Sequence, residues 1–379
     1  MSNVIIQGID SLPGSYFAAR FLQTCSDRIF YFADANHGST EEAPADLVMY
    51  AACRIDRSAG IALTRPEVES RLRRIEEDVD PTTADVAAAW YFAGPTSTRD
   101  RGETIERLLS ACDRLGVKQF NFVEFDFIGI SDEPNGKQSV GGLDALARIS
   151  SHEITQRCKD RNISCRVFQT SLVVGSGHPT LEQSGIFSRL VSALHSLKSE
   201  IEERSPQYFD FRTLRLNVSA NATVNLVPAA HVADLLLSIG GKEAAPDSSF
   251  SIVSPRNTDF SDLCERLGVA YGLGLLSVDD VASLNAIDRA FHERLAGLEE
   301  CFARQDVKLP NTQAIVDDSS LGARTFDEEE QIELFTLLRQ DQDEALAARR
   351  ARAAELLFKL SRKAVTANGS DLEYYVGGN

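Results

Sequence analysis

Closely spaced cysteine pairs are missing from this chain. Its seven cysteines, at positions 25, 53, 112, 158, 165, 264 and 301, are odd in number and widely spaced, and no Cys-x-x-Cys occurs. That pattern predicts reduced thiols and argues against a disulfide framework or a cysteine-based zinc site; no metal is expected. No stretch approaches the ~20 apolar residues that a membrane-spanning helix needs. The opening residues, Met1 to Asp10, hold neither a basic leader nor a long apolar run, so no secretory signal is read there and the expected location is cytoplasmic. Cations are scarce: 39 Lys and Arg stand against 56 Asp and Glu, a formal net charge of −17. Nucleic acid and anionic membranes are therefore not expected as partners, because clustered cations are what bind their phosphates. There is no Gly-x-Ser-x-Gly nucleophile elbow, internal repeat or low-complexity linker.

What is present is globular. With 43% hydrophobic and 25% charged residues over 379 positions, the chain can bury a core, as one large domain or two modest ones. Over its first two-thirds, short apolar runs alternate with amphipathic stretches, which predicts an α/β, doubly wound parallel sheet. Strands are expected at Val4–Ile6, Ile29–Phe32, Leu72–Ile75, Val86–Phe92, Phe120–Val123 and Cys165–Val174, with helices over Ser15–Leu22 and Thr104–Arg114. From about Gly175 the alternation loosens, although Val224–Val227 and Phe250–Val253 still read as strands. The division expected is a main domain over 1–325, with a substrate region at roughly 176–223 and 255–325, and a helical extension over 326–379. In that extension, acidic residues from Asp327 precede basic ones from Arg349, the order that suits a helix dipole. One or two helices packed on the parent domain are expected.

After the first strand comes Gly8-Ile9-Asp10-Ser11-Leu12-Pro13-Gly14, then a helix. Glycines at such a turn let the backbone approach a pyrophosphate, whose charge then sits at the helix N-terminus. Here the first and last glycines remain, Ser11 stands in the middle, and Asp10 brings a negative charge. Asp34, ~20 residues on, is placed to accept hydrogen bonds from an adenosine ribose, favouring NAD over NADP; it also reads as a surface residue ending a strand.

With these pieces in order, the sequence resembles the extended short-chain dehydrogenase/reductase superfamily, in particular its fatty acyl reductases and carrier-protein thioester reductase domains. The resemblance covers roughly residues 3 to 300. It is carried by the opening turn, Trp90-Tyr91-Phe92-Ala93-Gly94, Leu115 to Phe120, Ser171-Leu172-Val173-Val174-Gly175, Asn225 to Pro228 leading into His231-Val232-Ala233-Asp234, and Phe250 to Pro255. It implies a Rossmann-like fold in which Gly8, Ser11, Gly14, Asp34, Ala93 and Gly94 face NAD or NADP, or once did. It also implies an acyl or carrier-bound thioester as substrate.

Family members that move hydride use a tyrosine, a lysine four residues later, a serine or threonine after strand five and an asparagine. In this sequence those positions fall on Ala145, Ile149, Phe125 and Arg101, and no tyrosine lies between Tyr91 and Tyr208. A one-residue shift would pair Asp144 with Arg148, an exposed ion pair or an altered acid with its partner. The residues expected at the cleft mouth are Glu124, Asp126, Asp144, Ser151, His152 and His178, with His152 and His178 the first choices because imidazole titrates near neutrality. Each also reads as an ordinary surface residue. Cys158 and Cys165 read as core residues, and Asp234 as a capping or pairing residue. Three functions stay open: a non-redox enzyme acting on a thioester, an NAD(P)-dependent reductase using unorthodox residues, and a partner-binding scaffold that makes contact through its C-terminal helices.

Overall fold

A computed structural model describes residues 3–32, 44–55, 63–75, 85–93, 101–125, 151–176, 185–219, 221–241, 248–295 and 325–366, with Leu298 and Phe302. In chain order the first half runs β1 (Asn3–Gln7), α1 (Leu12–Thr24), β2 (Ile29–Tyr31), α2 (Pro44–Ile55), α3 (Arg65–Arg71), β3 (Leu72–Arg74), β4 (Val86–Ala93), α4 (Arg101–Leu115), β5 (Gln119–Glu124), α5 (Ser151–Lys159) and β6 (Ser164–Thr170). There follow β7 (Leu172–Val174), α6 (Ile186–Arg204), α7 (Tyr208–Phe211), β8 (Thr213–Leu216), β9 (Thr223–Val224), β10 (Leu226–Pro228), α8 (Ala229–Gly240), β11 (Ser249–Ile252), β12 (Thr258–Asp259), α9 (Phe260–Tyr271), β13 (Gly274–Ser277), α10 (Ala286–Leu295) and α11 (Glu328–Thr366).

Among the described residues the main sheet has seven parallel strands in the order β11-β6-β5-β4-β1-β2-β3. The strand order reverses between β1 and β4, and ligands of open α/β sheets bind beyond the strand ends at such a point. β4 sits in the middle and reads Val-Ala-Ala-Ala-Trp-Tyr-Phe-Ala, buried everywhere except Ala87. A near-continuous apolar run of this kind belongs to a strand covered on both faces. Trp90 and Phe92 meet Phe17 of α1 on one face, at ring-centroid distances of 4.5 and 5.4 Å, and Tyr91 meets Phe122 across the other. A second core lies under α6, α9, α10 and α11.

Two expected strands are broken, and for one reason. The run Cys165–Val174 divides at Ser171, so that β6 stays in the main sheet while β7 pairs with β10; Val224–Val227 divides at Asn225. Asn225 is fully buried and is the post that holds both breaks: its Oδ1 accepts from Ser171 Oγ (2.6 Å) and from the Ser254 N–H (2.8 Å), and its Nδ2 donates to the Ser254 carbonyl (2.9 Å). The C-terminal extension is one helix, α11, of 39 residues. Phe335 and Leu338 enter the second core, and Gln331, Asp341 and Gln342 are buried beside them, whereas residues 347–355 are exposed on all sides.

Candidate functional site at the sheet switch point

The backbone leaves β1 at Gly8 with φ of +81°, the left-handed region. A Cβ there would lie 2.4 Å from the Phe92 carbonyl oxygen, and one on Gly14 would lie 2.1 Å from the Gly8 carbonyl oxygen. Only glycine allows either approach. These contacts bring the N-terminus of α1 against the end of β4, the geometry of a phosphate-binding turn.

The middle of the turn is occupied by the chain itself. Ser11 is the N-cap of α1; its Oγ accepts from the Gly14 N–H (3.1 Å) and donates to the Gly8 carbonyl (2.7 Å). The Ser11 N–H donates to the same carbonyl at 3.0 Å, and the Ser15 N–H to the Ser11 carbonyl at 2.9 Å. Pro13 has no N–H. Of the backbone groups that open α1, that leaves the Leu12 amide. A helix N-terminus holds an anion by offering unsatisfied N–H groups, and the residues present do not fit a pyrophosphate.

Beyond the turn, Ala93 is buried at the end of β4 and its carbonyl accepts from the Phe125 N–H at 3.2 Å. Phe125, which the resemblance sets at the serine or threonine position, is itself buried in the core. Glu124, at the end of β5, is half-buried between Ala93 and Gln169 in the ladder. His152 opens α5 on its exposed side, while Ile154 and Cys158 of that helix face the core. No side-chain hydrogen bond or ion pair joins Glu124 to His152, so the structure does not bring these two candidates together. Asp34, Gly94, Asp126, Asp144 and His178, with the relay positions Ala145 and Ile149, lie outside the described residues. Asp234 is a pairing residue: its carboxylate takes Arg20 in a two-point contact of 2.5 and 3.1 Å that ties α1 to α8. Cys158 and Cys165 are core residues, as expected, and burial pushes the neighbouring Cys112 thiol up to about 12, far from a reactive thiolate.

The structure also assembles a polar cluster that the sequence did not reveal. Ser176, at the start of the loop after β7, receives Tyr16 of α1, whose hydroxyl donates to the Ser176 carbonyl at 2.8 Å. The Ser176 hydroxyl donates to the carboxylate of Asp341 on α11 and lies 3.4 Å from the Tyr50 hydroxyl of α2. Arg54, one turn after Tyr50, binds the other oxygen of Asp341 and donates to the Tyr50 hydroxyl at 3.2 Å. Burial, then the neighbouring Tyr50 and Asp341, raises the Tyr16 phenol well above its ordinary value; burial raises Tyr50 too. Both hydroxyls are neutral at physiological pH. In sequence only the Tyr50/Arg54 spacing of four is a signal, and Asp341 sits in a charged run that reads as a solvated helix face.

No protein-family model matches the chain, and no curated protein matches its sequence. Solved structures do. The terminal R domain from the myxalamid PKS-NRPS biosynthetic pathway is 12% identical with a TM-score of 0.62, over 89% of this chain and 90% of that one. A UDP-glucose 4-epimerase from Thermotoga maritima, solved with UDP-glucose, is 11% identical with a TM-score of 0.54, over 91% and 99%. A nucleoside-diphosphate-sugar epimerase from Staphylococcus aureus is 12% identical with a TM-score of 0.50, over 87% and 99%. At these identities the likeness is one of fold.

Proposed function

We propose, from the premise that this chain has the extended short-chain dehydrogenase/reductase fold, that it performs a non-redox reaction on an acyl thioester presented by a carrier. The observation that supports this reading is that no tyrosine stands between Tyr91 and Tyr208, and that Phe125, at the position where the resemblance sets a serine or threonine, is buried. Hydride transfer to a carbonyl calls for a proton donor at the carbonyl oxygen, whereas opening of a thioester by a nucleophile needs no hydride. The C–S bond breaks, a nucleophile on the substrate or a water forms the new bond to carbon, and the proton that nucleophile gives up ends on the leaving thiolate. Glu124 is the proposed carrier of that proton, being half-buried at the end of β5 next to β4, with the exposed His152 of α5 as the other candidate. His178, Asp126 and Asp144, outside the described residues, are further candidates. The likeness to an R domain supports a carrier-bound acyl chain as the substrate class.

The test is release of thiol from an acyl-N-acetylcysteamine series, followed by a thiol-reactive chromophore with no nicotinamide present. Turnover without nucleotide, falling at least tenfold in Glu124→Gln with an unchanged melting temperature, is expected. Strict dependence on NADH or NADPH, with oxidation of the cofactor, would overturn the reading. A second reading, a partner-binding role, is favoured by one observation: past its docked half α11 is exposed over residues 347–355, where Arg350 pairs with Glu203 of α6 and Arg349 and Arg352 add further positive charge.

A further inference from the structure

We infer that the β1–α1 turn has become a structural helix cap closed to pyrophosphate, so that this chain takes up no nicotinamide dinucleotide. The inference deepens the non-redox reading and rests on geometry of its own. Both turn glycines are required by packing alone, since a Cβ at Gly8 meets the Phe92 carbonyl and one at Gly14 meets the Gly8 carbonyl. Their presence therefore says nothing about a ligand. The donors a phosphate would need are already committed. Ser11 Oγ holds the Gly14 N–H and is itself anchored on the Gly8 carbonyl, and Ser11 is buried. The Ser15 N–H closes the first helical bond, and Pro13 removes one amide outright. A phosphate would have to displace Ser11 Oγ, break its two hydrogen bonds, and lie beside the carboxylate-bearing Asp10 with one free amide for compensation. The N-cap is the ordinary use of serine at this position of a helix, and it satisfies internally what a ligand would otherwise satisfy.

The inference is tested on the full chain by titration calorimetry with NAD⁺, NADH, NADP⁺ and NADPH, beside Pro13→Ala and the double variant Ser11→Gly/Pro13→Ala. The double variant restores two amides, and glycine is itself tolerated at an N-cap. The expected result is no saturable heat for the parent chain at about 1 mM nucleotide, and binding at least tenfold tighter in the double variant, with Pro13→Ala between them. A parent dissociation constant below about 100 μM would overturn the inference. A double variant that melts normally yet binds no better would overturn the assignment of closure to Ser11 and Pro13; if it fails to fold, the single Pro13→Ala variant, which keeps the cap, decides in the same way. Because binding is read without turnover, an inactive thioester assay leaves this result intact, and a failure here leaves thiol release to be judged separately.

Discussion

Replacing Asp341 with alanine removes one carboxylate from both Arg54 and Ser176. The Asp341 side chain is 8% exposed and that of Arg54 is 20% exposed, so the guanidinium left behind reaches some water but not freely. Breaking a fully buried ion pair from one side destabilises by about 3–5 kcal/mol; partial access for Arg54 brings the expectation to about 2–3 kcal/mol. At about 2 °C per kcal/mol for a large cooperative unit, the melting temperature should fall by roughly 4–6 °C. Urea unfolding followed by far-UV circular dichroism and by the single Trp90, which lies in the other core, gives the free energy and tests whether both halves melt together. A double-mutant cycle isolates the pair: Arg54→Leu with Asp341→Leu should be less damaging than the sum of the single changes by about 1–2 kcal/mol, because neither charge is then stranded. A loss under about 0.5 kcal/mol for Asp341→Ala, or strict additivity in the cycle, would show that the clasp between α2 and α11 contributes nothing, and the reasoning would be wrong.

Three further outcomes follow from the packing. Burial raises the Cys112 and Cys264 thiols from 9.0 to about 12, so the unfolded thiols ionise first as the medium becomes alkaline. The stability they confer is complete below pH 9 and lost through pH 12, at about 1.4 kcal/mol per pH unit for each thiol; urea midpoints at pH 8, 9 and 10 should decline, and a flat profile would contradict the burial. Gly240→Ala puts a Cβ 2.6 Å from the Trp90 ring, where overpacking destabilises by about 1–3 kcal/mol, and unchanged stability with an unshifted tryptophan emission would refute that contact. Truncation after Thr325 removes Phe335 and Leu338 from the second core and should yield an aggregating product, whereas truncation after Arg350 should leave the melting temperature within about 2 °C; light scattering and calorimetry distinguish the two.

Local pattern carried the sheet. The unbroken apolar run of β4 and the glycine turn with its following helix could be read because their causes lie within a dozen residues. The division of Cys165–Val174 into two strands could not, since Asn225, which bends the chain at Ser171, lies 54 residues away. Likewise the C-terminal region read as one or two helices from its acidic-to-basic order, while the residue that anchors it, Phe335, and its contact with Phe187 at 5.3 Å depend on α6 being there to meet it. The candidate site divides in the same way. Ser11 stood out as a departure in the turn, though only the folded structure shows which donors it consumes. The Tyr16, Tyr50, Arg54, Ser176 and Asp341 cluster draws on four distant segments, and each member alone looks like an unremarkable surface residue.

The span of that cluster sets an order of assembly. Arg54 and Asp341 are 287 positions apart, and Ser176 and Asp341 are 165 apart. On the ribosome the parallel strands β1 to β6 emerge and can pair long before α11 exists, since domains form from the N-terminal side as synthesis proceeds. Until Asp341 leaves the exit tunnel, Arg54 remains a cation facing solvent and the second core lacks Phe335 and Leu338. The clasp is therefore the last stitch. A contact that forms only after the rest of the fold is in place is absent from the transition state, so its strength should govern how slowly the finished protein comes apart rather than how quickly it forms. A weakened clasp would shorten the lifetime of the mature molecule in a cell while leaving its synthesis on schedule.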